Sequence, residues 1–204
     1  MHDVLYKLPS LENKTKEELL EVLLAEEYGY LPPAPDKTDV TEESRDLTFC
    51  AGRADLVTLK FTCYGPWGEF SFPAYYVCPK QAEKPVPAFV HINFRNLIPD
   101  RYQPTEELVQ AGYATLTFCH NDITRDNWDF TEGFAGLLYP DGVREKHQCG
   151  KNRIVGMGGT PFDGLRHDPG RVRQRKNLRG RSLPSGKNGA FGRRFRRAVL
   201  LRHF

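Results

Sequence analysis

Pro85-Val86-Pro87-Ala88-Phe89-Val90-His91-Ile92, followed by Gly112-Tyr113-Ala114-Thr115-Leu116-Thr117-Phe118-Cys119, decides the fold. Val86, Ala88, Phe89, Val90 and Ile92 form a nearly unbroken apolar run, the pattern of a strand covered on both faces. The second stretch has the same character. Between them Pro104 to Ala111 reads as a short helix, with Glu106 and Glu107 at its N-terminal end and Gly112 just past its end. Strand, helix, strand at this spacing is a βαβ unit, whose two strands run parallel.

Upstream of this unit the period changes to two. Val57, Leu59, Phe61 and Cys63 alternate, Gly65-Pro66-Trp67-Gly68 is a turn, and Phe70, Phe72, Ala74, Tyr76 and Cys78 resume the alternation. That is an antiparallel hairpin with one buried face, and Pro73 within it suggests an edge strand or a bulge. Further back, Thr15-Lys16-Glu17-Glu18 fits a capping box. Leu19, Leu20, Leu23, Leu24 and Tyr28 follow at helical spacing, and Gly29, Pro32 and Pro33 end the helix. Its leucine stripe is expected to lie in the core.

Downstream, residues 120–150 read as a long polar and aromatic loop, containing His120-Asn121-Asp122, Arg125 to Phe130 and Tyr139-Pro140-Asp141-Gly142. Loops beyond the carboxyl ends of parallel strands are where α/β sheets bind ligands. After Gly150 the periodicity stops. No stretch from Lys151 to Arg197 reads as an amphipathic helix or an alternating strand, and Ala198-Val199-Leu200-Leu201 is too short to decide anything.

The charge breaks at the same place. Residues 1–150 carry 14 Lys+Arg against 24 Asp+Glu, whereas residues 151–204 carry 15 Lys+Arg against Asp163 and Asp168. The net +3 of the whole chain is therefore the sum of an acidic part and a basic one. The runs Arg171 to Lys176 and Arg193 to Arg197 would bind phosphates non-specifically through charge, and a basic-tailed nucleic-acid-binding protein is the alternative function they suggest. A solvated, disordered tail is the simpler reading of 151–204.

Other classes are excluded or disfavoured. No run of apolar residues is long enough for a membrane-spanning helix. Met1 to Lys7 shows no secretory signal pattern, so a cytoplasmic location is expected. Five cysteines (Cys50, Cys63, Cys78, Cys119, Cys149), widely spaced and without a CxxC pair, argue against a disulfide framework or a structural zinc site. No metal and no cofactor is expected.

Among histidines, His91 sits inside an apolar strand and reads as a core residue, while His147 lies two residues from Cys149, weak spacing for a metal. His120, at a strand end, is the better site candidate. Asp122, Asp126 and Asp129 suit general acid/base chemistry or the capping of loop turns. Gly180 to Asn188 looks like a phosphate loop but has one residue too many between its glycines, and Asn188 stands where a Ser or Thr is needed.

Residues from about Leu19 to Lys151 resemble the bacterial α/β-hydrolase esterases related to glucuronoyl esterases and acetyl xylan esterases. The resemblance is carried by Glu26-Glu27-Tyr28-Gly29-Tyr30-Leu31-Pro32, Pro73 to Val77, Pro87 to Phe94, Gly112-Tyr113-Ala114, Asn121-Asp122-Ile123 and Tyr139-Pro140. It implies a partial α/β-hydrolase fold over residues 1–150, with an N-terminal helix, an antiparallel hairpin and the start of a parallel sheet, then an irregular basic tail. It implies a serine ester hydrolase acting on carbohydrate-linked esters. Asn93 and Phe94 are the implied oxyanion-hole candidates, since backbone N–H groups after this strand commonly serve there. Arg95 would hold a sugar carboxylate or be a surface charge. His120, Asp122 and Trp128 complete the substrate-binding candidates, with a sugar-binding loop around Trp128 as a reading without chemistry.

The family's nucleophile elbow, G-H-S-R-x-G, does not stand in this sequence. Ser182 has Arg181 before it and Leu183-Pro184 after it, so no catalytic residue is identifiable and the chain is expected to be inactive. Arg181 to Gly192 can, however, be back-translated with permitted codons so that a shift of one nucleotide reads Gly-His-Ser-Arg-Leu-Gly-Lys-Thr-Ala-Leu-Leu. A change of reading frame near Lys151 would explain the elbow's absence and the arginine-rich tail together. The parallel sheet is then expected to end early, with an open edge.

Overall fold

The structure, a computed structural model, describes residues 12–81, 86–101 and 103–158, and the backbone of two short strands at 172–174 and 198–200. The expected tail disorder, the stretch from Arg181 to Gly192 and the arginine clusters otherwise lie outside the described residues.

The first helix, α1 (Lys16–Leu23), starts as its sequence dictates. Glu18 N–H donates to Thr15 Oγ1 at 3.2 Å, and Thr15 N–H donates to Glu18 Oε2 at 2.7 Å. A π-helical turn (Leu24–Tyr28) continues it, and Gly29 ends it with φ +75°. The leucine stripe does not lie in the core: α1 buries no residue, and Leu20 and Leu23 are 54% and 43% exposed. The segment docks through its end instead. Gly150 N–H donates to Tyr28 O at 2.9 Å, Tyr30 N–H to His147 O at 2.9 Å, and His147 Nδ1 lies 2.8 Å from Ala25 O.

Strands β1 (Lys37–Asp46), β2 (Ala54–Gly65) and β3 (Gly68–Pro79) form an antiparallel meander. The β2–β3 hairpin closes at the Gly65–Gly68 pair, as the alternation requires. Pro73 makes no bulge. It pairs with Lys60, and the pairing of β3 with its other neighbour covers only Tyr75–Val77, so Pro73 needs no donor on that side. Strand β1 escapes a reading by pattern because it is polar: of its residues only Val40 is buried.

Strands β4 (Ala88–Asn93) and β5 (Ala114–Cys119) are parallel, in register from Ala88–Ala114 to Asn93–Cys119, with α2 (Thr105–Gln110) in the crossover. The βαβ unit is as expected. The sheet order is β6-β1-β2-β3-β5-β4-β7, where β6 (Val172–Gln174) runs parallel to β1 and β7 (Ala198–Leu200) parallel to β4. The open edge expected on β4 is thus paired over Ala88–Val90.

One face of the sheet carries the main core: Val57, Leu59 and Phe61 of β2, Phe72 and Tyr76 of β3, Val90 of β4, Leu116 and Phe118 of β5. Phe61 and Phe72 stack at 5.4 Å between ring centroids. Burying each such side chain is worth roughly 1.5–3 kcal/mol. The other face is smaller, with Ala54 and Val77 packed against Val109 of α2.

Two readings of the later chain need correction. The 120–150 stretch is not all loop: it holds α3 (His120–Ile123) and α4 (Gly133–Leu138), whose Phe134 and Ala135 are buried. Beyond Gly150, where no helix is expected, α5 (Lys151–Met157) buries Lys151, Ile154 and Met157. Three core positions in seven residues are too few to show a period, which is why the stretch looks featureless as sequence. The packed chain therefore continues seven residues past the charge break, to Met157.

Candidate functional site at the carboxyl ends of the parallel strands

The parallel register sets Asn93 beside Cys119, and each strand ends there. The segments leaving these two strand ends form the candidate site. Asn93 is buried and both ends of its amide are engaged: Nδ2 donates to Asp100 Oδ2 at 3.1 Å, and Oδ1 accepts the Phe94 N–H at 2.9 Å. Arg95 grips the same carboxylate twice, Nε to Oδ2 at 3.0 Å and Nη2 to Oδ1 at 2.8 Å. A fork of this kind is the strongest geometry available to an arginine–carboxylate pair. Asp100 is buried, so this network staples the 93–100 turn closed.

That arrangement bears on two candidates. The Phe94 N–H is engaged by the Asn93 side chain, so in this conformation it donates inside the turn rather than toward a reacting oxygen. The Arg95 guanidinium is held by Asp100 rather than presented free to a sugar carboxylate. Sequence reasoning does not find Asp100. Its five-residue spacing from Arg95 spans no regular element, so nothing announces the contact.

On the β5 side, His120 opens α3 and meets Phe94 edge-on, with ring centroids 5.2 Å apart at 86°. Phe94 is itself 73% exposed. Burial holds the His120 imidazole below its ordinary pKa, against the opposing pull of Asp126 and Asp122. Burial likewise pushes the Asp122 carboxyl up, with His120 opposing. Two groups thus lean toward their neutral forms beside one another. Their buried atoms His120 Nδ1 and Asp122 Oδ2 have no hydrogen-bond partner among the described residues. Tyr75 of β3 feels the Asp122 charge, and its phenol is raised by burial first and by Asp122 second.

The structure therefore brings Asn93, Phe94, Arg95, His120 and Asp122 to one end of the parallel pair. Trp128 lies further along, in the turn after α3, 97% exposed. Asp129 caps its own turn, accepting from Thr131 N–H at 2.8 Å and Thr131 Oγ1 at 2.6 Å. Of the two readings of that acid, the capping one describes what it does here. His147 serves the docking of α1, and His91 is half-buried in β4. Away from this end, an apolar cleft lies between Trp67, Phe70, Phe134, Ile154 and Met157. No group of three metal-ligating side chains occurs among the described residues. Nor is any helix among them long and apolar enough to cross a membrane.

Solved structures decide the comparison. A CE15 glucuronoyl esterase from Teredinibacter turnerae superposes with a TM-score of 0.58 at 20% identity, over 78% of this chain and 44% of its own. The glucuronoyl esterase from Solibacter usitatus gives 0.58 at 20% identity, over 79% of this chain and 51% of its own. A promiscuous CE15 esterase from a marine bacterial metagenome gives 0.55 at 16% identity, over 78% and 50%. The chain has a partial esterase-like α/β-hydrolase fold. It spans about half the length of these structures. No family model and no curated protein matches the sequence.

Proposed function

We propose that the chain is the amino-terminal part of a serine ester hydrolase acting on carbohydrate-linked esters, and that it is inactive as written. The observation that carries this is the parallel β4–β5 pair with the Asn93, Phe94 and His120 cluster at its carboxyl ends. This is where an α/β sheet assembles a site, and the likeness to the glucuronoyl esterases supports the class of ester. Asn93 and Asp100 shape the turn that would bear an oxyanion-binding N–H. Release of the Phe94 N–H from Asn93 Oδ1 would be required for Phe94 itself to serve.

Inactivity rests on the sequence. None of the serines stands in a Gly-x-Ser-x-Gly setting, the sequence of the strained strand-to-helix turn that exposes a nucleophile. We place the change of reading frame after Met157 rather than near Lys151, because α5 still contributes Ile154 and Met157 to the core. Residues selected to pack are not expected out of frame.

Two measurements test this reading. Sequencing the DNA across codons 155–162 should find an alternative frame that continues open and encodes the elbow; a closed alternative frame sinks the frame argument. Purified protein assayed with p-nitrophenyl acetate should give no turnover that a serine-directed inhibitor abolishes, and such turnover would overturn the claim of inactivity.

A further inference from the structure

Lys151 is the first residue of α5, and only 9% of it is exposed. An ammonium has three N–H donors and no acceptor. Here all three are spent on one turn: Nζ donates to Asn127 O at 3.0 Å, to Asn127 Oδ1 at 2.6 Å and to Asp129 O. The charge also lies 4.8 Å from the centre of the Phe130 ring, itself packed edge-on to Tyr139. Burying a lysine is costly unless every donor is satisfied. The residues that satisfy it are the two that flank Trp128.

The turn is pinned from its own side as well. Asn127 N–H donates to Arg125 O at 3.0 Å, and Asp129 N–H donates to Asn127 Oδ1 at 3.1 Å. The main chain is fixed before and after Trp128, while the indole between them stands almost wholly in solvent. Single exposed apolar side chains are ordinary. A buried ammonium spent on holding one in place is not.

We propose that the Lys151-pinned turn is a preformed platform on which the Trp128 indole stacks against the pyranose ring of a carbohydrate chain. Fixing the turn in advance removes the ordering cost that a mobile aromatic would carry on binding. An indole has an apolar face and a polar N–H edge, matching a sugar ring that offers C–H groups on its face and hydroxyls around its rim. The size of the feature selects the partner. A protein partner needs an interface of roughly 1,200 Å² or more, and one indole offers about 150–250 Å². The turn itself carries Asp126 and Asp129 against Arg125, so it is not a basic surface that would select a polyanion such as nucleic acid. The choice of a xylan-type sugar rests on the ester-hydrolase reading above; the mode of contact does not. Lys151 acts as a positioning residue, and Trp128 as the contact.

The test uses the full chain with Trp67→Phe, which leaves Trp128 as the single reporter indole. Titration with xylohexaose, followed by fluorescence and calorimetry, should show saturable binding with Kd on the order of 1 mM. Trp128→Ala should abolish the calorimetric signal. Lys151→Met should weaken binding at least about fivefold. The same variant should lower Trp128 fluorescence anisotropy while the circular dichroism spectrum is retained, a change that loss of a merely structural contact elsewhere would not cause. Absence of saturable binding, or unchanged affinity in Trp128→Ala, overturns the proposal. Self-association that depends on concentration and disappears in Trp128→Ala assigns the indole to a second copy and overturns it too. Failure of the hydrolase reading would appear as a closed alternative DNA frame and would leave this binding isotherm untouched.

Discussion

Asn93 Nδ2 reaches Asp100 Oδ2 at 3.1 Å across the turn that leaves β4, and the same carboxylate is forked by Arg95. Asp100→Ala removes the acceptor for both. It should lower stability by about 1–3 kcal/mol, since the buried Asn93 amide loses its partner while Arg95 keeps access to water. A urea-unfolding midpoint that does not move would refute this account of the turn.

The opposite shifts of His120 and Asp122 give opposite pH dependences. Burial lowers the His120 pKa, so its contribution to stability is complete above the ordinary imidazole value and fades as pH falls through the lowered one. Burial raises the Asp122 pKa, so its contribution is complete below the ordinary carboxyl value and fades as pH rises through the raised one. Asp122→Asn, fixed in the neutral form, should therefore melt higher than the parent at pH 7 and lose that advantage at pH values below the carboxyl range. Melting curves of the two proteins from pH 3 to 8 check the sign.

Ile154 tests where the folded chain ends. It is fully buried in the main core, from a helix that begins after the charge break. Ile154→Ala should cost about 2–5 kcal/mol, the usual range for a buried aliphatic truncation. If residues after Gly150 took no part in the fold, the substitution would be silent in thermal denaturation.

Gly29 tests the docking of the amino-terminal helix. A Cβ there would lie 2.0 Å from Gln148 O, at a φ of +75° that L side chains rarely adopt. Gly29→Ala should break the contacts between Tyr28–Tyr30 and His147–Gly150 at a cost of at least about 1–3 kcal/mol. Hydrogen exchange of the Tyr30 and Gly150 amides, both hydrogen-bonded across this junction, should accelerate, and unchanged exchange would show that the junction is not what holds the helix.

What can be read from the chain and what cannot divide along physical lines. The hairpin, the βαβ unit and the capping box are legible because each is written in local pattern: alternation, continuous apolarity, a hydroxyl three residues before a glutamate. Strand β1 is not, because its neighbour supplies the hydrogen bonds and only Val40 of its side chains is buried, too few to write an alternation. Helix α5 and the Lys151 anchor escape for a related reason: a lysine reads as surface until the three oxygens that satisfy it come from a distant turn. At the candidate site, His120 and Asp122 are legible from their place after a strand. The Asp100 partnership that ties up Arg95 and, through Asn93, orders the Phe94 amide requires coordinates.

The strand order has a consequence for how the chain is made. The meander β1-β2-β3 joins neighbours in sequence, so each strand meets its partner as it leaves the ribosome. Strand β4 does not, because β5 lies between it and β3. At about 5–20 residues per second, the stretch from Phe94 to Cys119 takes roughly 1–5 s to synthesise. For an interval of that length after it emerges, the apolar Ala88–Ile92 segment waits for β5, the strand that joins it to the rest of the sheet. That waiting strand, rather than any part of the finished molecule, is the point at which a chaperone or a neighbouring nascent chain has the most to bind.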